Sequence, residues 1–99
     1  MKPLLSPVLS VHSHSRARIY AALLAESKRI WTISGLAALL PDVSVEAVRA
    51  TLYLMLDDRL LDTVPHQRGL TVALTAEGRA TVEQITAQWK PAEPAQDRP

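Results

Sequence analysis

The sequence predicts a mainly α chain with a small β-hairpin, an α+β fold in the order helix, strand, helix, helix, strand, strand, helix. Three observations carry this. Apolar residues recur at helical spacing in two stretches, Val45, Val48, Leu52, Met55 and Leu56, and again Val82, Ile85 and Trp89. Two short strand-like stretches flank His66-Gln67-Arg68-Gly69, a turn sequence with a glycine available for positive φ. The two ends are proline-interrupted and lack a sustained period. One domain is therefore expected over residues 13–90, between a flexible N-terminal tail (1–12) and a disordered C-terminal tail (91–99).

The elements follow in order. The first helix starts near Ser13 or Ser15, either of which can cap it, and runs to about Ser27 with Ile19, Ala22 and Leu23 on one face. Lys28 and Arg29 then stand where a helix C-terminus favours positive charge. Ile30-Trp31-Thr32-Ile33 is short, β-branched and aromatic, and reads as a strand. Ser34 is the expected cap of a brief helix over 35–40, with Leu36, Leu39 and Leu40 inward, ended by Pro41. Ser44 caps the third helix, 44–58. Residues 60–64 and 70–74 form the hairpin, with Leu70, Val72 and Leu74 on one face. Thr75 caps the last helix, which stops before Pro91.

Composition narrows the class. Hydrophobic residues make up 47% of the 99 residues, enough for a core, but aromatics are only 4%, so Leu, Val, Ile and Ala must build it. Cysteine is absent, which removes disulfides and thiolate metal sites. The apolar stretch 4–11 is broken by Ser6, Pro7 and Ser10, too short for a secretory leader, and no run approaches a membrane span. A cytoplasmic protein without membrane attachment is expected. His12 and His14 lack further ligands nearby in sequence, so no metal and no cofactor is expected. No glycine-rich phosphate loop, carboxylate pair or activated nucleophile stands out, and an enzyme is not expected. Net charge is +1, from 11 basic and 10 acidic residues, a weak footprint for phosphate binding overall.

Two stretches carry a resemblance. The run from Val45 to Leu56, followed by Leu60-Leu61, is similar to the recognition helix of bacterial winged helix-turn-helix regulators. Leu74-Thr75-Ala76-Glu77-Gly78-Arg79 resembles the Leu-Thr-x-x-Gly-Arg junction that follows the wing in MarR-like and PadR-like members. The resemblance covers about residues 15–89. Arg59 departs from it, because relatives often have glycine there. The resemblance implies a sequence-specific regulator of transcription that binds double-stranded DNA; for so small a chain, a repressor acting as a homodimer by promoter occupancy is expected. Its third helix would enter the major groove, and its hairpin would touch the adjacent backbone or minor groove.

The expected DNA contacts are Ser44, Glu46, Ala47, Arg49, Ala50 and Thr51 on the helix and His66, Gln67 and Arg68 at the hairpin tip. Arg68 is the foremost, since a wing tip lies near phosphate. Arg49 sits on the flank of a face otherwise made of Glu46, Ala47, Ala50, Leu54, Asp57 and Asp58. Ala47, Ala50 and Thr51 suit thymine methyls, and Glu46 can accept from cytosine. Ser44 and Thr51 can donate to phosphate, and Lys28 and Arg29 can reach flanking backbone. A row such as Val82, Ile85 and Trp89 most often packs on the body of its own domain; a terminal helix with a large aromatic also suits a dimer seam, and these three are its expected residues. The alternative is a protein-interaction module that meets a protein partner through Tyr53 and Leu54 on the acidic-leaning helix.

Overall fold

The computed structural model describes residues 7–89. The expected C-terminal tail, 91–99, lies outside them. A 3₁₀ turn, Pro7–Ser10, precedes helix α1 (His14–Ala25). Strand β1 (Ile30–Thr32), helices α2 (Ile33–Leu39) and α3 (Val45–Asp57), strands β2 (Leu61–Thr63) and β3 (Thr71–Leu74), and helix α4 (Ala76–Trp89) follow. The fold is mixed α and β: these helices pack on one antiparallel sheet of order β1-β3-β2. The sheet has a strand more than the hairpin alone. Ile30, Trp31 and Thr32 pair with Ala73, Val72 and Thr71, so β3 is central and the early strand closes the sheet.

Caps set the helix starts. Ser13 accepts from the Arg16 N–H at 3.1 Å and Ser44 from the Ala47 N–H at 3.0 Å, each satisfying one orphan donor of the first turn. The cap of α2 is Thr32 rather than Ser34: its Oγ1 accepts from the Gly35 N–H at 2.9 Å. Thr32 ends β1 in an extended conformation, so it can serve both elements, and Ile33 joins the helix. Leu36 and the C-cap Leu40, four apart, are buried, and Ile33 and Ala37 pack partly buried beside them. Leu39, expected inward, is 49% exposed.

The core gathers Ile19, Tyr20 and Leu23 of α1, Trp31 of β1, Val48, Leu52 and Met55 of α3, Leu61 and Val72 of the sheet, and Val82 and Ile85 of α4. Leu9 joins them and is fully buried. The expectation of a free tail over 1–12 is therefore corrected for residues 7–12. The Tyr20 hydroxyl donates to the Leu9 carbonyl at 2.8 Å, and Trp89 Nε1–H donates to the Ser10 carbonyl at 2.9 Å. A single leucine plugging the core leaves no periodicity to read. Its anchors come from α1 and α4, far along the chain.

The joint between α3 and α4 is tightly built. The Arg59 N–H donates to Leu56 O (3.0 Å) and the Leu60 N–H to Met55 O (2.8 Å), the paired bonds of a Schellman ending, with Leu60 buried behind them. Arg59 carries the left-handed backbone of that ending, φ 63°. Thr75 then does two things. Its Oγ1 accepts from the Gly78 N–H at 2.8 Å and donates towards the carbonyls of Arg59 and Leu60, while its own N–H donates to Leu60 O. Gly78 lies directly against Leu60: a Cβ there would stand 1.9 Å from the Leu60 carbonyl oxygen. The Leu-Thr-x-x-Gly-Arg spacing thus has a local reason, since threonine caps α4 and glycine lets it sit on the end of α3. No helix among the described residues is long and apolar enough to cross a membrane.

Candidate nucleic-acid interface

Helix α3 packs against α1, α2, β2 and the N-terminal turn, so it buries a wide arc. Val48, Thr51, Leu52 and Met55 are buried, and Ala47 and Leu54 pack against the same core. Val45, Glu46, Arg49, Ala50, Tyr53 and Asp57 remain exposed. This corrects one expected contact and narrows another. Thr51 is 5% exposed and cannot reach a ligand without leaving the core. Ala47 is half-buried against that core. Leu54 likewise turns inward rather than out. Arg49, expected on the flank, belongs to the exposed arc, and Val45, expected inward, is 44% exposed.

The hairpin tip bends by two left-handed residues, His66 (φ 65°) and Gly69 (φ 78°). This leaves His66, Gln67 and Arg68 exposed. Between the tip, α2 and α3 lies a concavity of about 570 Å³. Its walls include Ser34 and Ala38 of α2, Val45 and Arg49 of α3, and Arg68 and Gly69 of the hairpin. Arg49 and Arg68, distant in sequence, are therefore brought to one groove. Among the described residues, no acidic side chain lines it. Glu46, Ala50, His66 and Gln67 are exposed nearby in the chain but are not part of its walls. Ser44 stands at the start of α3 with its oxygen engaged as the cap.

Four other arginines are occupied. Arg18 holds Asp42 through two bonds, Nε to Oδ2 at 3.0 Å and Nη2 to Oδ1 at 3.1 Å. His14 shares that carboxylate at 2.5 Å. The hydrogen bonds from Arg18 and then from His14 hold the Asp42 carboxyl well below the usual carboxylate range. Arg16 donates to the Val11 carbonyl at 2.8 Å, and Arg79 pairs with Glu83 at 3.3 Å. Arg29 pairs with Glu26 at 3.0 Å and stacks over the Trp31 ring at 4.5 Å, which takes it from the flanking role considered for it. Among the described residues, Arg49, Arg59 and Arg68 have no side-chain hydrogen bond or ion pair, and Lys28 is exposed.

The expected dimer seam is corrected. Val82 is fully buried and Ile85 is 5% exposed within the chain's own core. Trp89 stacks on Tyr20 with ring centroids 5.5 Å apart, and His12 meets it edge-on at 5.0 Å. These residues close the fold rather than face outward. His12 and His14 go to different partners, and among the described residues no three potential ligands gather as a metal site.

Sequence reasoning missed the part played by α2. Ser34 and Ala38 form a wall of the groove, and Ser34 was read only as a cap. The available signal was the pair of hydroxyls at Thr32 and Ser34: only one can cap, and the other is released to the surface. Comparison with protein-family models, with curated proteins and with solved structures found no match.

Proposed function

We propose that this chain is a sequence-specific DNA-binding regulator of the winged helix-turn-helix type, acting as a repressor by occupying its site. The observation that carries the reading is the convergence of Arg49 and Arg68. They are the arginines without internal partners that meet in one groove, and no carboxylate lines that groove to oppose phosphate. Duplex DNA presents what such a groove matches: phosphates along the rim and acceptor atoms on guanine at the floor. The two-helix unit α2–α3 followed by the β2–β3 hairpin supports the same reading. In it α3 enters the major groove and Arg68 meets the flanking backbone. Two copies on adjacent half-sites would add their contacts, with a seam that leaves Val82 and Ile85 to the core.

The test is a titration of labelled duplexes at two salt concentrations, one from upstream of the chain's own gene and one unrelated. Tighter binding to the upstream duplex, weakening with salt by about 0.9 in log affinity per neutralised phosphate, is expected. Arg49→Ala should cost about 1 to 3 kcal/mol on the preferred duplex, the worth of a good base contact. Arg68→Ala should weaken both duplexes alike and reduce the salt slope by about 1. Absence of binding to either duplex would overturn the reading and turn the search to a protein partner for the exposed arc of α3.

A further inference from the structure

The exposed arc of α3 is short of polar readers. Over its first turns it presents Val45, Glu46, Arg49, Ala50 and Tyr53. Val45 is 44% exposed and Tyr53 is 48% exposed, large apolar surfaces that the fold does not use. They are neighbours along the helix: Val45, Arg49 and Tyr53 follow at four-residue steps, and Ala50 lies one position from Arg49 and three from Tyr53.

Apolar side chains pressed on base edges have a narrow choice of partners. Against a ring nitrogen, carbonyl or amino group, an aliphatic side chain or the ring edge of Tyr53 removes water and returns no hydrogen bond, which is unfavourable. The one apolar group on the major-groove floor is the C5-methyl of thymine. We infer that Val45, Ala50 and Tyr53 read thymine methyls on either side of a guanine taken by Arg49, so that sequence preference in this protein rests on methyl contacts more than on hydrogen bonds. The inference deepens the DNA-binding reading and depends on it. It also replaces the methyl contacts expected at Ala47 and Thr51, which the core holds.

Thymine and uracil differ by that methyl alone, so the test is a base replacement. Short random-sequence duplexes are selected on the full chain, and the selected pool is recopied with either thymidine or deoxyuridine. The uracil copy should bind more weakly by about fourfold for each contacted methyl, the weight of one buried methylene-sized group. Val45→Ala and Tyr53→Ala, both at exposed positions, should lose affinity for the thymine copy and little for the uracil copy, with unchanged circular dichroism. Equal binding of the two copies by the unaltered chain would overturn the inference while leaving DNA binding intact. So would a thymine preference undiminished in both variants, because it would then come from the shape of the duplex. A pool that cannot be enriched at all would overturn the DNA-binding reading and this inference with it.

Discussion

The α1–α4 side and the α3–hairpin side use the same residue types in opposite ways. On the first, Arg16, Arg18 and Arg79 are bound to partners within the chain, and the rings of Tyr20 and Trp89 are stacked and hydrogen-bonded. On the second, Arg49 and Arg68 are without partners among the described residues and Tyr53 is half in solvent. The concavities follow suit. The one between α1 and α4, about 260 Å³, is lined by His12, Ala17, Ala21, Leu24, Thr86 and Trp89 and, among the described residues, has no arginine or lysine in its walls. The one at the hairpin has two arginines. An arginine or tyrosine therefore says little by its identity. What separates the structural from the functional here is whether the fold already satisfies it.

The contrast presumes a rigid joint between the two sides, and the largest expected effect tests that joint. Gly78→Ala places a methyl against the Leu60 carbonyl, with backbone on both sides and no flexible side chain to yield. A loss of about 3 kcal/mol or more is expected from such overpacking, read as a lower urea midpoint. A small loss would mean that α4 shifts freely on the end of α3 and that the two sides are not held together there.

Tyr20 gives the next effect, confined to the α1–α4 side. Burial pushes its hydroxyl up to about 12 from the ordinary 10.0, against a smaller opposite pull from Arg16. The folded pKa is raised, so the stabilisation of the neutral form is complete below pH 10 and is lost as pH rises through 12. About 2 to 3 kcal/mol of stability should disappear over that window. Tyr20→Phe should lose about 1 kcal/mol at neutral pH, for the bond to Leu9 O, and flatten the alkaline slope. An unchanged slope in that variant would place the titration elsewhere.

Arg18→Ala and Arg49→Ala then compare the two sides directly. Asp42 has a lowered pKa, so what it contributes is present above the ordinary carboxylate range and is lost as pH falls below it. Arg18→Ala should weaken that acid dependence and leave DNA affinity unchanged. Arg49→Ala should do the reverse. Urea midpoints across acidic pH, beside the duplex titration, measure both. If Arg18→Ala weakened DNA binding, the division into a structural and a functional side would be wrong.

Local features were the legible ones. Ser13, Ser44 and Thr75 were readable as caps because a hydroxyl and an N–H three residues on suffice. The core row Val48, Leu52 and Met55 followed from period alone. The width of the buried arc did not, because it depends on how many elements surround α3, and so Thr51 and Leu54 were placed outside. Leu9 was illegible as a core residue, since one apolar side chain has no period. The groove was illegible for a related reason. Arg49 and Arg68 belong to different elements, and only the packing of α2, α3 and the hairpin brings them together.

The smallest expected effect lies at the joint itself. Arg59 holds φ 63°, a conformation that costs a side-chain-bearing residue roughly 1 to 2 kcal/mol relative to glycine. The position suits glycine, because it is the left-handed residue of a Schellman ending. Arg59→Gly should relieve that cost, partly offset by the greater freedom of glycine in the unfolded chain, for a net gain of about 0.5 to 1 kcal/mol. The substitution also removes one of the three arginines that, among the described residues, have no internal partner, and one that does not line the groove. DNA affinity and its salt slope should therefore stay as they are while the urea midpoint rises. A slope reduced by about 1 would instead extend the phosphate contacts from the hairpin tip to the end of α3. The functional side would then reach the joint, and an arginine in a strained backbone would be explained by what it binds.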